Sequence, residues 1–360
     1  PWLTGPALTE EAQERYFEPE TAGYRSSLYE HAVRALDKAI THGSHYLPLM
    51  GSGDWNDGFN RVGAEGRGES VWLAMFLALT LTRFSPICRG RQDEERARRY
   101  EAVAEGYRQA AESCFDGDRY LRAYLDDGTP LGREGAGACA IDSLSQSFAV
   151  LCGLNASHTG TALDTALRQL EDGENGLLKL FAPPFGQPDK RVGYTSSYPA
   201  GVRENGGQYT HAAAWLAIAL FEAGRPEDGT RVLRLLNTIA KYTDGLGEKY
   251  RGEPYALAGD VYANPACPGR VGWSQYTGAA GWMYTAVLRH LLGLRPRGNA
   301  MDLQPCLPVG WPGYSLKITL LNTPLSITVA REEAKGLTVD GKEAQEVPLD
   351  GKRHKVHLNV

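Results

Sequence analysis

Residues 69–84 (Glu-Ser-Val-Trp-Leu-Ala-Met-Phe-Leu-Ala-Leu-Thr-Leu-Thr-Arg-Phe) are apolar on every side of a helix. A helix without a polar face has to be enclosed by other elements. The stretch that follows, 91–115, is its opposite. It is charge-rich and keeps one apolar stripe of Tyr100, Val103/Ala104, Tyr107 and Ala111, so it belongs on the outside. An enclosed helix with an amphipathic partner recurs along the chain. Helical patterns occupy about 141–153, 159–171, 209–223, 226–241 and 274–292, and a first one covers 26–41 behind a serine cap. Glycine-rich loops join them. The expectation is a mainly α chain, a toroid of antiparallel helix pairs of the (α/α)6-barrel kind whose loops gather over a central funnel. About eight helices fall short of six pairs, so the barrel is expected to lack its first helices.

The character changes near residue 296. Residues 1–295 form the expected barrel region. In 296–360, Leu316–Leu320, Leu325–Ala330, Gly336–Val339 and His354–Leu358 alternate or are β-branched, with Asp-Gly pairs at 340–341 and 350–351. This predicts a small antiparallel, sandwich-like β module. A hairpin or loop is expected over 116–137, around Asp126-Asp127-Gly128. The Pro/Gly/Tyr-rich stretch 172–208 is too long for a mere connector and is expected to be functional. With 43 acidic against 38 basic residues, the net charge of −5 leaves no electrostatic footprint for nucleic acid or an anionic membrane. No run is read as a membrane span and none as a secretory leader. The six cysteines are dispersed without a CxxC pair or metal spacing, which reads as reduced, cytoplasmic and metal-free. The start at Pro1, without Met, reads as a piece of something longer.

Chemistry concentrates in three loops. The first is Gly53-Asp54-Trp55-Asn56-Asp57-Gly58, inside the glycine-rich stretch 47–70 that leads into the enclosed helix. Glycine at this density lets backbone approach a ligand, and carboxylates beside an aromatic ring and amides suit a sugar site. An EF-hand fails on spacing, since Gly58 falls one place too early. The second loop, Gly201 to His211, carries Arg203 and Glu204 into a helix. The third, Gly272 to Gly281, carries Trp273, Gln275, Thr277 and Gly278 into another. Helix N-termini receive anions readily. An acid in one loop and an anion site in the other two is what phosphorolysis of a glycosidic bond requires. Plainer readings stand beside this one. Asp54 caps or orients its own loop, Asp142 caps a helix, Glu204-Asn205 caps the helix after it, Thr277 and Gly278 are an N-cap and a packing glycine, His211 is a satisfied helix-start histidine, and Trp55, Trp273 and Trp282 are core.

The phrases Pro48 to Gly58, Gly68 to Leu73, Ile141 to Ser147, Tyr198 to Trp215 and Tyr276 to Trp282 resemble glycoside hydrolase family 94, the inverting phosphorylases of cellobiose, chitobiose and related β-glucosides. The resemblance runs from about residue 20 to 315. The phrasing of 203–211 and of Glu253 to Tyr262 is most similar to the C-terminal region of cyclic β-1,2-glucan synthases and to 1,2-β-oligoglucan phosphorylases. The resemblance implies Asp57 as general acid, Trp55 at the donor sugar, and Arg203, Glu204 and Gln275 as substrate contacts. It places phosphate, a co-substrate rather than a cofactor, on His211, Thr277 and Gly278. It also implies that a donor-site Arg-Asp motif, a β-sandwich and the first barrel helices lie upstream. Two alternatives stay open: a hydrolase with Asp57 as acid and Glu204 as base, and a non-catalytic carbohydrate-binding fragment. The expected partners are a β-glucan oligosaccharide, phosphate and the upstream part of the same polypeptide, with a homodimer also open. Expressed alone, the piece is expected to turn over little, and its location is read as cytoplasmic, as part of a larger inner-membrane protein.

Overall fold

The structure is a computed structural model, which describes residues 1–9, 15–332 and 334–360. Its helices are α1 (Leu28–Ala39), α2 (Val71–Gly90), α3 (Glu94–Glu112), α4 (Ser143–Leu151), α5 (Ala156–Leu170), α6 (Thr210–Glu222), α7 (Pro226–Leu236), α8 (Thr238–Thr243), α9 (Gly247–Tyr250) and α10 (Thr277–Thr285), the last continuing as a π-helix to Leu291. The helices α2, α4, α6 and α10 stand side by side in that order, and α3, α5 and α7 back the first three. The three hairpins and a fourth inner helix match the expected alternation of enclosed and amphipathic segments. Among the described residues they do not amount to a closed ring of six pairs.

The most enclosed element is α6, with eleven of its thirteen residues buried. Nearly every side chain is apolar, and it packs against α4, α7 and α10 at once, as an all-apolar helix must. Helix α2 is longer than its sequence pattern. It continues through Pro86 because Thr82 O, which loses its amide partner there, accepts the Ser85 hydroxyl at 3.3 Å. Its 20 residues are long and apolar enough to cross a membrane by length and composition, which the sequence reading did not count. Half of that window is buried inside the protein, while Phe76 and Ile87 are exposed along one stripe, so the helix is not enclosed on every side. The pattern 226–241 divides in two, because Asn237 accepts a hydrogen bond from Ile239 N at 2.9 Å and so caps a new helix. Helix α1 and the loop after it are anchored on α3 through Tyr100 Oη to Asp37 (2.8 Å) and Tyr107 Oη to Thr41 O (2.8 Å).

The C-terminal strands are β1 (Leu294–Arg297), β2 (Ala300–Leu303), β3 (Gly313–Leu320), β4 (Thr323–Ala330), β5 (Gly336–Val339), β6 (Lys342–Ala344), β7 (Val347–Pro348) and β8 (His354–Asn359). They form a β1-β2-β7 sheet and a five-stranded sheet ordered β3-β4-β8-β5-β6. The module is not wholly antiparallel as expected. Strand β8 lies parallel to β4, in register from Leu325↔His354 to Ala330↔Asn359. The hydrophobic alternation that marks both strands is blind to their relative direction. Tyr314 Oη donates to Leu292 O at 2.5 Å, which joins this module to the end of the α10 turn.

Candidate active site

The first loop is held from below by a buried charge cluster. Arg122 donates from Nη1 and Nη2 to the two Asp54 oxygens (2.6 and 2.7 Å), and from Nε to Asp142 Oδ2 (3.2 Å). The Ser70 hydroxyl adds a 2.7 Å bond to Asp54, whose other oxygen accepts Asn56 N at 3.0 Å. Neither Arg122 nor Asp54 has an exposed side chain. Burial alone would lower the Arg122 pKa, but the Asp54 and Asp142 charges outweigh it and raise it. Asp142, which also caps α4 through Leu144 N (2.8 Å), is pushed up to about 6 by burial. Asp54 therefore has a structural office, as one of the plainer readings had it. Asp57, three residues on, is exposed at the start of a short 3₁₀ turn, Asp57–Phe59. Among the described residues no hydrogen bond or ion pair holds its carboxylate. Asn56 completes the turn by accepting from Gly58 N (3.1 Å) and the Thr195 hydroxyl (3.0 Å). Gly58 is needed there, because a Cβ would run into Thr195 Oγ1.

The second loop is framed by Asn205, which is buried. Its side chain accepts from Phe185 N (2.8 Å) and donates to Phe185 O (3.0 Å) and Tyr198 O (2.7 Å). It orders a loop rather than capping α6. Arg203, at φ 51°, lays its guanidinium over the rings of Tyr198 and Trp273, 5.2 Å from each centroid, with Nε 3.5 Å from Glu204 Oε2. That Glu204 oxygen is buried without a hydrogen-bond partner. Trp273 is 48% exposed and so presents a face rather than filling core.

His211 stands in the first turn of α6. Burial lowers its pKa to about 4, and its Nε2 is buried without a partner, so it is not the satisfied helix-start histidine. Its ring lies 5.6 Å from Trp55 and 4.2 Å from Trp215, and its Nδ1 is the nearest atom to the Cβ position of Gly278. Thr277 is the first residue of α10 rather than its cap. Neither α6 nor α10 has a side-chain cap, since Tyr209 and Tyr276 hold those positions. The structure thus brings Trp55, His211 and Gly278 together, and Arg203 and Glu204 beside Trp273. The Asp57 charge reaches Tyr194, whose pKa burial and then Asp57 raise, and Tyr194 packs on Tyr198. Gln275 is exposed at φ 63° on the rim. An apolar cleft of about 490 Å³ between α2, α4, α6 and α10 borders the site at Trp215 and Trp282.

Sequence reasoning missed two members of this arrangement. Arg122 carried one usable sign, a lone charge in Tyr120-Leu-Arg-Ala-Tyr-Leu125. Asp260 is 2% exposed, and one of its oxygens has no partner. It was visible only as part of a phrase.

Residues 10–293 match the glycosyl hydrolase 94 superfamily catalytic domain, and residues 294–356 match the glycosyl hydrolase family 65 C-terminal domain. The chain is 44% identical over 340 residues to the cyclic beta-(1,2)-glucan synthase NdvB of Rhizobium meliloti (strain 1021), covering 93% of this chain and 12% of that protein. It is 32% identical over 351 residues to the solabiose phosphorylase of Paenibacillus borealis, covering 93% of this chain and 45% of the relative. It thus spans less than half the length of both. A solved structure described as a sialidase shares the fold at a TM-score of 0.56 and 14% identity, over 81% of this chain and 26% of that one. With the catalytic-domain match running from residue 10 to residue 293, the chain belongs to the glycosyl hydrolase 94 superfamily.

Proposed function

We propose that this chain carries the acid and phosphate side of an inverting glycoside phosphorylase that cleaves a β-glucosidic bond, with β-1,2-glucan as the substrate class. Asp57 protonates the leaving glycosidic oxygen. A phosphate oxygen attacks the anomeric carbon from the opposite face and releases α-glucose 1-phosphate. Phosphate arrives already ionised, so no general base is needed. His211, Thr277 and the Gly278 amide receive the anion at two helix starts, Trp55 borders the donor sugar, and Arg203, Glu204 and Gln275 meet sugar hydroxyls. The observation that carries this reading is His211 at the openings of α6 and α10, whose Nδ1 is the nearest atom to the Cβ position of Gly278 while its Nε2 is buried without a partner. A buried polar atom without a partner is costly unless a ligand supplies one. A neutral imidazole can donate one hydrogen bond to a phosphate oxygen, and the bound dianion would raise its pKa.

The apolar cleft between α2 and α10 is where further helices of a longer polypeptide would complete an (α/α)6 ring. The lengths of the relatives and the exposed Phe76, Ile87 and Trp282 support this. The test therefore uses the full-length polypeptide with short β-1,2-gluco-oligosaccharides. Phosphate-dependent release of α-glucose 1-phosphate is expected. Asp57→Asn should reduce it ~10²–10⁴-fold, and His211→Ala should raise the KM for phosphate far more than that for glucan. Release of free glucose without phosphate would replace this reading with a hydrolase using Glu204, whose Oε2 also lacks a hydrogen-bond partner.

A further inference from the structure

We propose that Asp260 is a positioning residue of this site, a clasp that joins the loop opening α6 to the loop opening α10 and fixes the ring on which Arg203 lies. The two-residue strand Asp260–Val261 runs between both loops. On one side it pairs antiparallel with Gln208–Tyr209, in the register Tyr209↔Asp260, and Thr210 N donates to Gly259 O at 2.9 Å. On the other side Gly272 N donates to Asp260 O (3.0 Å), and Gly259 N donates to Trp273 O (2.6 Å). The Asp260 carboxylate then receives Trp273 N on Oδ1 at 2.7 Å. Gly272 makes room for that carboxylate, since a Cβ there would lie 2.6–2.7 Å from both of its oxygens. The backbone of Trp273 is therefore held from two directions by residues 259 and 260, and its indole carries Arg203 at 5.2 Å.

A purely structural acceptor for Trp273 N would not need a second oxygen. Asp260 Oδ2 is buried without a partner, a costly arrangement of the kind concentrated at functional sites. The charged and titratable groups around it are Arg203 and Glu204 from the α6 loop, Tyr209 on the paired strand and Tyr262 just past its own strand. Arg203 is the only cation of this set. The carboxylate thus steadies the site's guanidinium twice, once through the Trp273 ring and once by charge. It acts through Arg203 and Trp273 and touches no reacting atom.

The sugar readout rests on the proposed function, whereas the structural readout does not. The first measurement is hydrogen exchange over 271–276 in the full-length polypeptide. Asp260→Ala should lose protection there while α1 keeps its own, and Asp260→Asn, which retains an acceptor for Trp273 N, should keep it. The second is binding of a short β-1,2-gluco-oligosaccharide without phosphate. Asp260→Ala should weaken it about tenfold, the loss of one well-placed hydrogen bond, with Asp260→Asn within a few-fold of the parent. Should the alanine variant not fold, Asp260→Glu, which displaces the acceptor by one methylene, takes its place in both measurements. Unchanged protection over 271–276 in the disruptive variant would overturn the clasp, whatever the substrate proves to be. So would a loss of binding equal in Asp260→Asn and Asp260→Ala that simply tracks a fall in melting temperature. If the parent binds no oligosaccharide, the proposed function fails and the exchange measurement alone decides the clasp.

Discussion

Replacing Arg122 by Met keeps much of its length and removes its charge from a place water does not reach. The guanidinium makes two bonds to Asp54 and one to Asp142, and the exposures of the three side chains are 0%, 0% and 1%. Summing those bonds would overstate the effect, because each carboxylate keeps other partners. Asp54 retains the Ser70 hydroxyl and Asn56 N, and Asp142 retains Leu144 N. What remains is two unneutralised carboxylates in one buried spot, for which ~3–5 kcal/mol is expected at pH 7. The loss should depend on pH with a definite sign. Asp142 already has a pKa raised to about 6 by burial. Its folded form therefore binds a proton more readily than the unfolded chain, and this contribution to stability fades as pH rises through 6. Without Arg122 that pKa rises further, so the deficit of the variant should shrink by on the order of 1 kcal/mol between pH 7 and pH 5. Urea unfolding at the two pH values measures this. The triple variant Arg122→Met, Asp54→Asn, Asp142→Asn removes all three charges and should recover part of the loss. A single variant that costs under about 1 kcal/mol, or a triple variant less stable than the single one, would refute the reasoning.

Two further outcomes can be checked. Gly58→Ala places a methyl against Thr195 Oγ1, which bonds Asn56, so the full-length polypeptide should lose turnover well beyond any fall in melting temperature; a fall in melting temperature large enough to account for the whole loss would count against a role for this contact in the acid loop. In the β module, the side-chain bonds from His354 to Asp340 (2.7 Å) and Asp350 (2.9 Å) raise the histidine pKa. Stabilisation from a raised histidine is full below the unfolded value of about 6.5 and is lost above the folded one. His354→Gln should therefore destabilise the chain at pH 6 more than at pH 9, and equal losses in urea unfolding would contradict it.

The helices were legible because burial leaves a periodic mark. The enclosed character of α6 and most of α2, the outer stripe of α3 and the serine cap of α1 can all be read from residue order. The break at Asn237 was less so, since one side-chain bond to Ile239 N decides it. In the first loop, composition could not rank Asp54 against Asp57. The difference lies in Arg122, 68 residues away, which occupies one carboxylate and leaves the other in water. The office of Asp260 is equally non-local, because it arises from the pairing of its strand with 208–209 on one side and 271–274 on the other. The direction of β8 was out of reach for the same reason, as alternation reports faces and not partners.

That last strand has a consequence for how the chain comes together. Residues 354–359 occupy the middle of the five-stranded sheet, with β4 on one side and β5 on the other. Strands β3 and β4 can pair as soon as their turn has formed. The β5-β6 hairpin can also form by itself, yet it has no place to dock until β8 arrives between it and β4. During synthesis the half-built sheet must therefore wait with β4 presenting an open edge, and such edges invite pairing with other chains. Once β8 has docked, the bonds from His354 to Asp340 and Asp350 pin it beside β5, and the open edge is closed.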